Sequence, residues 1–140
     1  DWADGCVNVH LIRHPARVIA SYAAKRENPT LQDIGFKQQT EVFKRFPGPI
    51  IDSDDIRSDP EGMLKKLCKT IDLGWDPAML SWPAGPKPYD GAWAPHLYKS
   101  VHESKGFAGR EGDLPNLAGQ AAVLSEQALP YYRLLESQKL

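Results

Sequence analysis

The residues best suited to chemistry fall in one stretch, Leu11-Ile12-Arg13-His14-Pro15-Ala16-Arg17-Val18-Ile19-Ala20-Ser21-Tyr22. Arg13 follows a short apolar run that reads as a strand, and Pro15 suits the first position of a helix, where a missing N–H costs nothing. A guanidinium and the free backbone N–H groups of a helix start would then meet at the carboxyl edge of a parallel sheet, where α/β folds bind anions. The guanidinium fork matches phosphate oxygens two at a time. Ser21 stands about two helical turns beyond Pro15. Its hydroxyl reaches the same anion only if the ligand lies along the side of the helix. Arg17, one turn after Arg13, either adds charge to that site or is a solvated surface arginine.

Other chemistry-bearing residues have plainer explanations. Asp52, Asp54 and Asp55 suggest a magnesium site by analogy with nucleotide enzymes, but acidic residues in such loops commonly cap helices. His14, His96 and His102 invite a zinc or acid–base role, yet none has a second histidine four residues on. No metal is expected. Trp82, Tyr89, Trp93 and Tyr98 either wall an apolar acceptor pocket or simply pack a long loop.

The elements that must position these side chains follow from the hydrophobic pattern. Cys6 to Ile12 reads as a buried strand, and Ala16 to Arg26 as a helix stopped by Asn28-Pro29. Thr30 and Asp33 form a capping-box-like pair ahead of a second helix, which Pro47-Gly48-Pro49 ends. Pro49-Ile50-Ile51-Asp52 is a second strand, with Asp52 to Arg57 as its exit loop. Ser58 and Glu61 are expected to cap a third helix that closes at Gly74 in a left-handed conformation. The composition then turns to Pro, Gly and aromatics from Pro83 to Pro95. A short helix over Pro95 to Ser104, a Gly-rich loop from Phe107 to Leu117 and a last helix from Ala118 to Ser137, kinked or broken at Pro130, complete the chain. Strand, helix, helix, strand is the outline of an α/β crossover.

The 140 residues suffice for one modest core, so residues 1–140 are expected to form a single domain or part of one. Seventeen basic and eighteen acidic residues, spread along the chain, give no basic face for nucleic acid. No apolar run approaches the roughly 20 residues of a membrane helix. Cys6 and Cys68 are expected to be free core thiols, which suits a reducing, cytoplasmic setting. The chain opens at Asp1 without an initiator Met or signal peptide, and is expected to be a fragment, a trimmed piece or a partial gene product. An edge on the strand from Cys6 to Ile12 makes homo-oligomerisation a possible outcome.

The stretch from Leu11 to Tyr22 resembles the second signature of the sulfotransferase family: an Arg, a Pro two residues later and a Ser eight residues after the Arg, met here by Arg13, Pro15 and Ser21. Ile50-Ile51-Asp52-Ser53-Asp54-Asp55-Ile56, Asp59-Pro60-Glu61 and Ala128-Leu129-Pro130-Tyr131-Tyr132 look like later family segments. Trp93-Ala94-Pro95-His96-Leu97-Tyr98 is similar to a segment of bacterial sulfotransferase-like proteins. The resemblance implies a short parallel sheet flanked by helices, as part of a P-loop NTPase-like three-layer fold. It implies 3′-phosphoadenosine 5′-phosphosulfate as co-substrate, no metal, and a small-molecule hydroxyl or amine acceptor. Arg13 and Ser21 would hold the donor's 3′-phosphate. Lys105 and Gly106 stand nearest to the family's late Arg-Lys-Gly segment, without its Arg.

One departure is large. No Gly-rich loop ending in Lys-Ser or Lys-Thr occurs in these residues, and in the family that loop and the catalytic base precede this region. Both are expected upstream of Asp1, so the chain alone is expected to be inactive in sulfuryl transfer. The alternatives are a non-catalytic nucleotide-binding or interaction module and a P-loop kinase relative with Arg13 in a lid over ATP.

Overall fold

The computed structural model describes residues 2–23, 28–92, 94 and 98–140. Two short strands, β1 (His10–Ile12) and β2 (Ile50–Asp52), pair in parallel with His10 opposite Ile50, Leu11 opposite Ile51 and Ile12 opposite Asp52. Between them run α1 (Pro15–Ala23) and α2 (Phe36–Arg45), which gives the α/β crossover expected from the pattern. After β2 come α3 (Ser53–Ser58), α4 (Pro60–Thr70), α5 (Lys99–Glu103) and the long α6 (Gly119–Glu136).

Alternation along a strand puts His10, Ile12, Ile50 and Asp52 on one face. That face meets α6: Ile12 and Ile50 form the core with Phe36, Ala128, Tyr132 and Leu135. Each such aliphatic side chain, fully buried, contributes about 1.5–3 kcal/mol. On the opposite face Ile51 is buried while Leu11 is 59% exposed. In a parallel pair only alternate residues point their N–H and C=O at the partner strand, so Leu11 and Ile50 direct theirs to the outer edges. Gln39 Nε2 donates to the Leu11 carbonyl at 2.7 Å, and the Leu140 N–H donates to the Ile50 carbonyl at 2.9 Å. The chain thus partly covers both of its own sheet edges.

Several expected boundaries move, each for a local reason. The first strand is confined to His10–Ile12, because the preceding residues turn: Asn8 Nδ2 donates to the carbonyls of Ala3 and Cys6. Cys6 is therefore exposed rather than a core thiol, whereas Cys68 is buried beside Met79. Thr30 and Asp33 do bond reciprocally, but they close a turn; α2 starts only at Phe36, with Gly35 at φ 71 as its N-cap. The expected loop after β2 is helical. Asp52 Oδ1 accepts from the Asp54 N–H at 2.8 Å and starts α3 at once. Ser58 consequently ends α3, and Asp59, not Ser58, caps α4 by accepting from the Gly62 N–H. That helix stops at Thr70, with Asp72 rather than Gly74 taking the left-handed conformation. Pro130 lies within an α6 that runs unbroken from Gly119 to Glu136.

In the loop region Trp82 packs edge-on against Phe107 and donates through Nε1 to Ser104 Oγ at 2.9 Å. Tyr89 covers nothing, being 84% exposed. The expected end of the first helix at Arg26, Trp93 and the start of the helix at 95–97, including His96, lie outside the described residues.

Candidate anion-binding site

The site grows from the carboxyl ends of β1 and β2. β1 ends at Ile12, and the next two residues turn the chain into α1: the His14 carbonyl accepts from the Arg17 and Val18 N–H groups, and His14 Nδ1 accepts from the Ala16 N–H. This turn fixes Arg13 at the strand end and Arg17 one helical turn later. Beside it, Asp52 caps α3, whose last turn carries Arg57. Across these ends passes the segment from Ser104 to Ala118, which forms neither strand nor α-helix.

Glu111 of that segment draws the three arginines together. Arg13 approaches it through Nη2, and through Nε at 3.3 Å; Arg17 Nε lies 3.3 Å and Arg57 Nη1 2.8 Å from its carboxylate oxygens. The same arginines hold the backbone on either side. Arg57 Nε donates to the Gly109 carbonyl at 3.0 Å and Arg17 Nη2 to the Gly112 carbonyl at 2.6 Å. Only 11% of the Glu111 side chain is exposed. Burial alone would raise its pKa, but the hydrogen bond from Arg13 and the charges of Arg13, Arg57 and Arg17 outweigh it and hold the carboxyl below its ordinary value.

Ser21 is exposed on the outer side of α1, and together with Arg13, Val18 and Tyr22 it borders a shallow hollow of about 260 Å³. Arg13 therefore faces both ways, toward Glu111 and toward the hollow of Ser21. Arg17, left open between a binding role and a solvated one, is turned into the cluster with its side chain 12% exposed. Lys105 and Gly106 sit elsewhere. The Lys105 carbonyl accepts from the Trp82 N–H and Gly106 bridges Ser81, and neither borders the Arg13–Ser21 hollow.

A second cavity of about 320 Å³ opens beside the cluster, bordered among others by His14, Arg17, Asp52, Asp54, Arg110 and Tyr132. Its floor is a polar knot: Tyr132 Oη lies 2.5 Å from Asp52 Oδ2 and 3.0 Å from Glu136 Oε1. Burial first, then the hydrogen bond to Asp52, pushes the Tyr132 phenol well above its ordinary value. Burial lowers the pKa of His14, which stacks edge-on against Tyr132. Of the acidic residues readable as metal ligands, Asp52 is engaged with Tyr132 and the α3 cap and Asp55 with Lys139 at 2.6 Å, while Asp54 Oδ1 is buried without a hydrogen-bond partner. His102 is paired with Asp90 at 2.8 Å. Among the described residues no group of His, Cys, Asp and Glu is placed to hold a metal ion.

Arg57 and Glu111 are the site residues that sequence reasoning missed. Arg57 carried a usable signal, since it follows the end of the second strand by only five positions, while Arg13 follows the first by one. Glu111 had none, because its place depends on the path of an irregular segment.

Among the described residues no helix is long and apolar enough to cross a membrane. The chain matches the sulfotransferase domain over residues 1–139. Branched-chain-amino-acid aminotransferase-like protein 1 of Arabidopsis thaliana is 35% identical over 132 residues, 91% of this chain and 24% of that protein. Branched-chain-amino-acid aminotransferase-like protein 2 of the same plant is 32% identical over 130 residues, 89% of this chain and 23% of that protein. The chain spans about a quarter of the length of these curated relatives. No solved structure matches it. The domain match runs almost end to end, through both strands and every segment that supplies an arginine to the cluster, and the chain belongs to the sulfotransferase domain family.

Proposed function

We propose that this chain supplies the 3′-phosphate-binding part of a sulfotransferase that uses 3′-phosphoadenosine 5′-phosphosulfate and transfers its sulfuryl group to a small-molecule hydroxyl or amine. The observation that carries this reading is that Arg13 and Ser21, eight residues apart, border one hollow at the carboxyl end of a parallel strand. The donor fits the residues present: a guanidinium offers paired donors to phosphate oxygens, and the hydroxyl of Ser21 adds a third. These groups select and orient the donor rather than make or break the bond to sulfur. No Gly-rich loop ending in Lys-Ser or Lys-Thr occurs among these 140 residues, and in this reading that loop and the base that deprotonates the acceptor belong to sequence outside them. A cytoplasmic setting is part of the same proposal.

The competing reading is a non-catalytic module in which the arginines are structural, and the pairing of all three with Glu111 is the observation in its favour. Titration calorimetry with adenosine 3′,5′-bisphosphate, adenosine 5′-monophosphate and ATP separates the two. The clamp predicts that the bisphosphate binds in preference and that Arg13→Ala weakens it at least tenfold, about 1.4 kcal/mol. Equal binding of the monophosphate, or no loss in Arg13→Ala, sinks the clamp.

A further inference from the structure

Three cationic side chains, Arg13 and Arg17 from the β1–α1 unit and Arg57 from α3, converge on one carboxylate. Three guanidinium charges against one carboxylate leave a formal excess of two, so the cluster is better matched to a phosphate-type dianion than to the glutamate it holds. The glutamate comes from a segment without regular structure. Residues 108–110 and 112–114 on either side of it are exposed, and the contacts that fasten them to the sheet ends come from Arg57 and Arg17 themselves. Arg13, which borders the hollow with Ser21, is shared between the hollow and Glu111. An anion in the hollow and the Glu111 carboxylate therefore compete for one guanidinium.

We infer that Glu111 occupies the place that an anionic group of the ligand takes on binding, and that Arg57 is a further cation of that anion site, reached once Glu111 is displaced. The identity of the anion as a nucleotide 3′-phosphate rests on the function proposed above. The competition itself requires only that the ligand carry a phosphate-type dianion. The segment from Phe107 to Leu117 then acts as a built-in plug: it keeps three arginines together without ligand, and its release is part of binding. A plug closed about nine-tenths of the time lowers apparent affinity about tenfold.

The test is calorimetric titration of the full chain with adenosine 3′,5′-bisphosphate, comparing wild type, Glu111→Gln, Arg57→Gln and Arg13→Ala. Glu111→Gln is expected to bind about tenfold more tightly, because the amide keeps the shape but not the charge. Arg57→Gln is expected to bind about tenfold more weakly. If Arg57 served only to hold Glu111, its loss would loosen the plug and tighten binding, and that result overturns its assignment. Unchanged or weaker binding by Glu111→Gln overturns the plug. Should that variant fail to fold, limited trypsin digestion of the wild type decides the matter: saturating bisphosphate is expected to speed cleavage after Arg110, and an unaltered or slower rate overturns the plug. An Arg13→Ala chain that binds normally, beside a tighter Glu111→Gln, refutes the clamp but supports the plug, with the anion on Arg17 and Arg57. No binding by either wild type or Glu111→Gln refutes both.

Discussion

Replacing Tyr132 by Phe removes the buried hydroxyl that lies between Asp52 and Glu136. The ring is in the core and only 5% of the residue is exposed, so Phe keeps the packing and removes one hydroxyl. That hydroxyl is 2.5 Å from Asp52 Oδ2, and Asp52 is 2% exposed. A hydrogen bond to a charged group contributes about 1.5–3 kcal/mol, and a buried acceptor left bare loses its desolvation cost as well. Both residues border the cavity of about 320 Å³, so a water can enter and bond the freed oxygen, which places the loss in the lower half of that range. The expected destabilisation is about 2 kcal/mol at neutral pH, a fall in Tm of roughly 6 °C for a chain of this size. Thermal and urea unfolding followed by circular dichroism measure it. Tyr132→Phe also changes the alkaline limb. The folded phenol titrates above its unfolded value of about 10, so its contribution is complete below that pH and is lost as pH rises toward the folded value. The gap between wild type and variant should therefore narrow above about pH 10. A variant within 0.5 kcal/mol of wild type at neutral pH, or a gap that widens in alkali, refutes the reasoning.

Two further outcomes follow from the same geometry. A Cβ on Gly48 would stand 1.8 Å from the Asn8 carbonyl oxygen, a backbone atom held by the approach to β1, so Gly48→Ala is expected to cost about 2–3 kcal/mol, read as a lower urea midpoint at unchanged slope; an unmoved midpoint would show that this backbone gives way freely. The folded pKa of Glu111 lies below its ordinary 4.5, so its contribution is present above that value and is lost as pH falls through the folded pKa. Glu111→Gln should therefore flatten the acid limb of stability below about pH 4.5 and leave its slope unchanged between pH 5 and 8; the loss associated with His14, whose pKa is lowered from 6.5 by burial, should persist in the variant.

Apart from α3, which was expected as a loop, the order of elements was legible because it rests on signals that act locally. The apolar run before Arg13-His14-Pro15 and the Pro-Gly-Pro break at 47–49 each hold whatever the rest of the chain does. Boundaries were legible only where one residue decided them. Asp52 and Asp59 each stand just before a helix, Asp52 at the end of β2 and Asp59 directly after the last turn of α3, and the sequence alone favoured Ser58 with Glu61. What decides is tertiary: Asp52 is fixed by Tyr132, eighty residues away, and the helix it caps runs to Ser58, which leaves Asp59 to start α4. Thr30 with Asp33 shows the converse, a capping pair that forms fully and yet caps no helix, because Gly35 in the left-handed conformation restarts the chain in a new direction.

The same division explains the site. Arg13, Arg17 and Ser21 share one strand–helix unit, and residues that share a unit have a relative geometry that spacing can give. Arg57 and Lys105 do not belong to it, and for them position along the chain is a poor guide: Arg57, read as part of an exit loop, reaches the cluster, while Lys105, the match to a family segment, is held at Ser81 and Trp82 instead. The physical cause is Glu111. A carboxylate with 11% exposure gathers the cations that the fold delivers to it, and Arg57 serves it through the guanidinium's planar fork, which bonds the carboxylate with one nitrogen and the Gly109 carbonyl with another. A lysine at position 57 could make one of these contacts but has no fixed geometry for both. The assembly of this site thus depends on arginine chemistry as much as on the strand ends that present it.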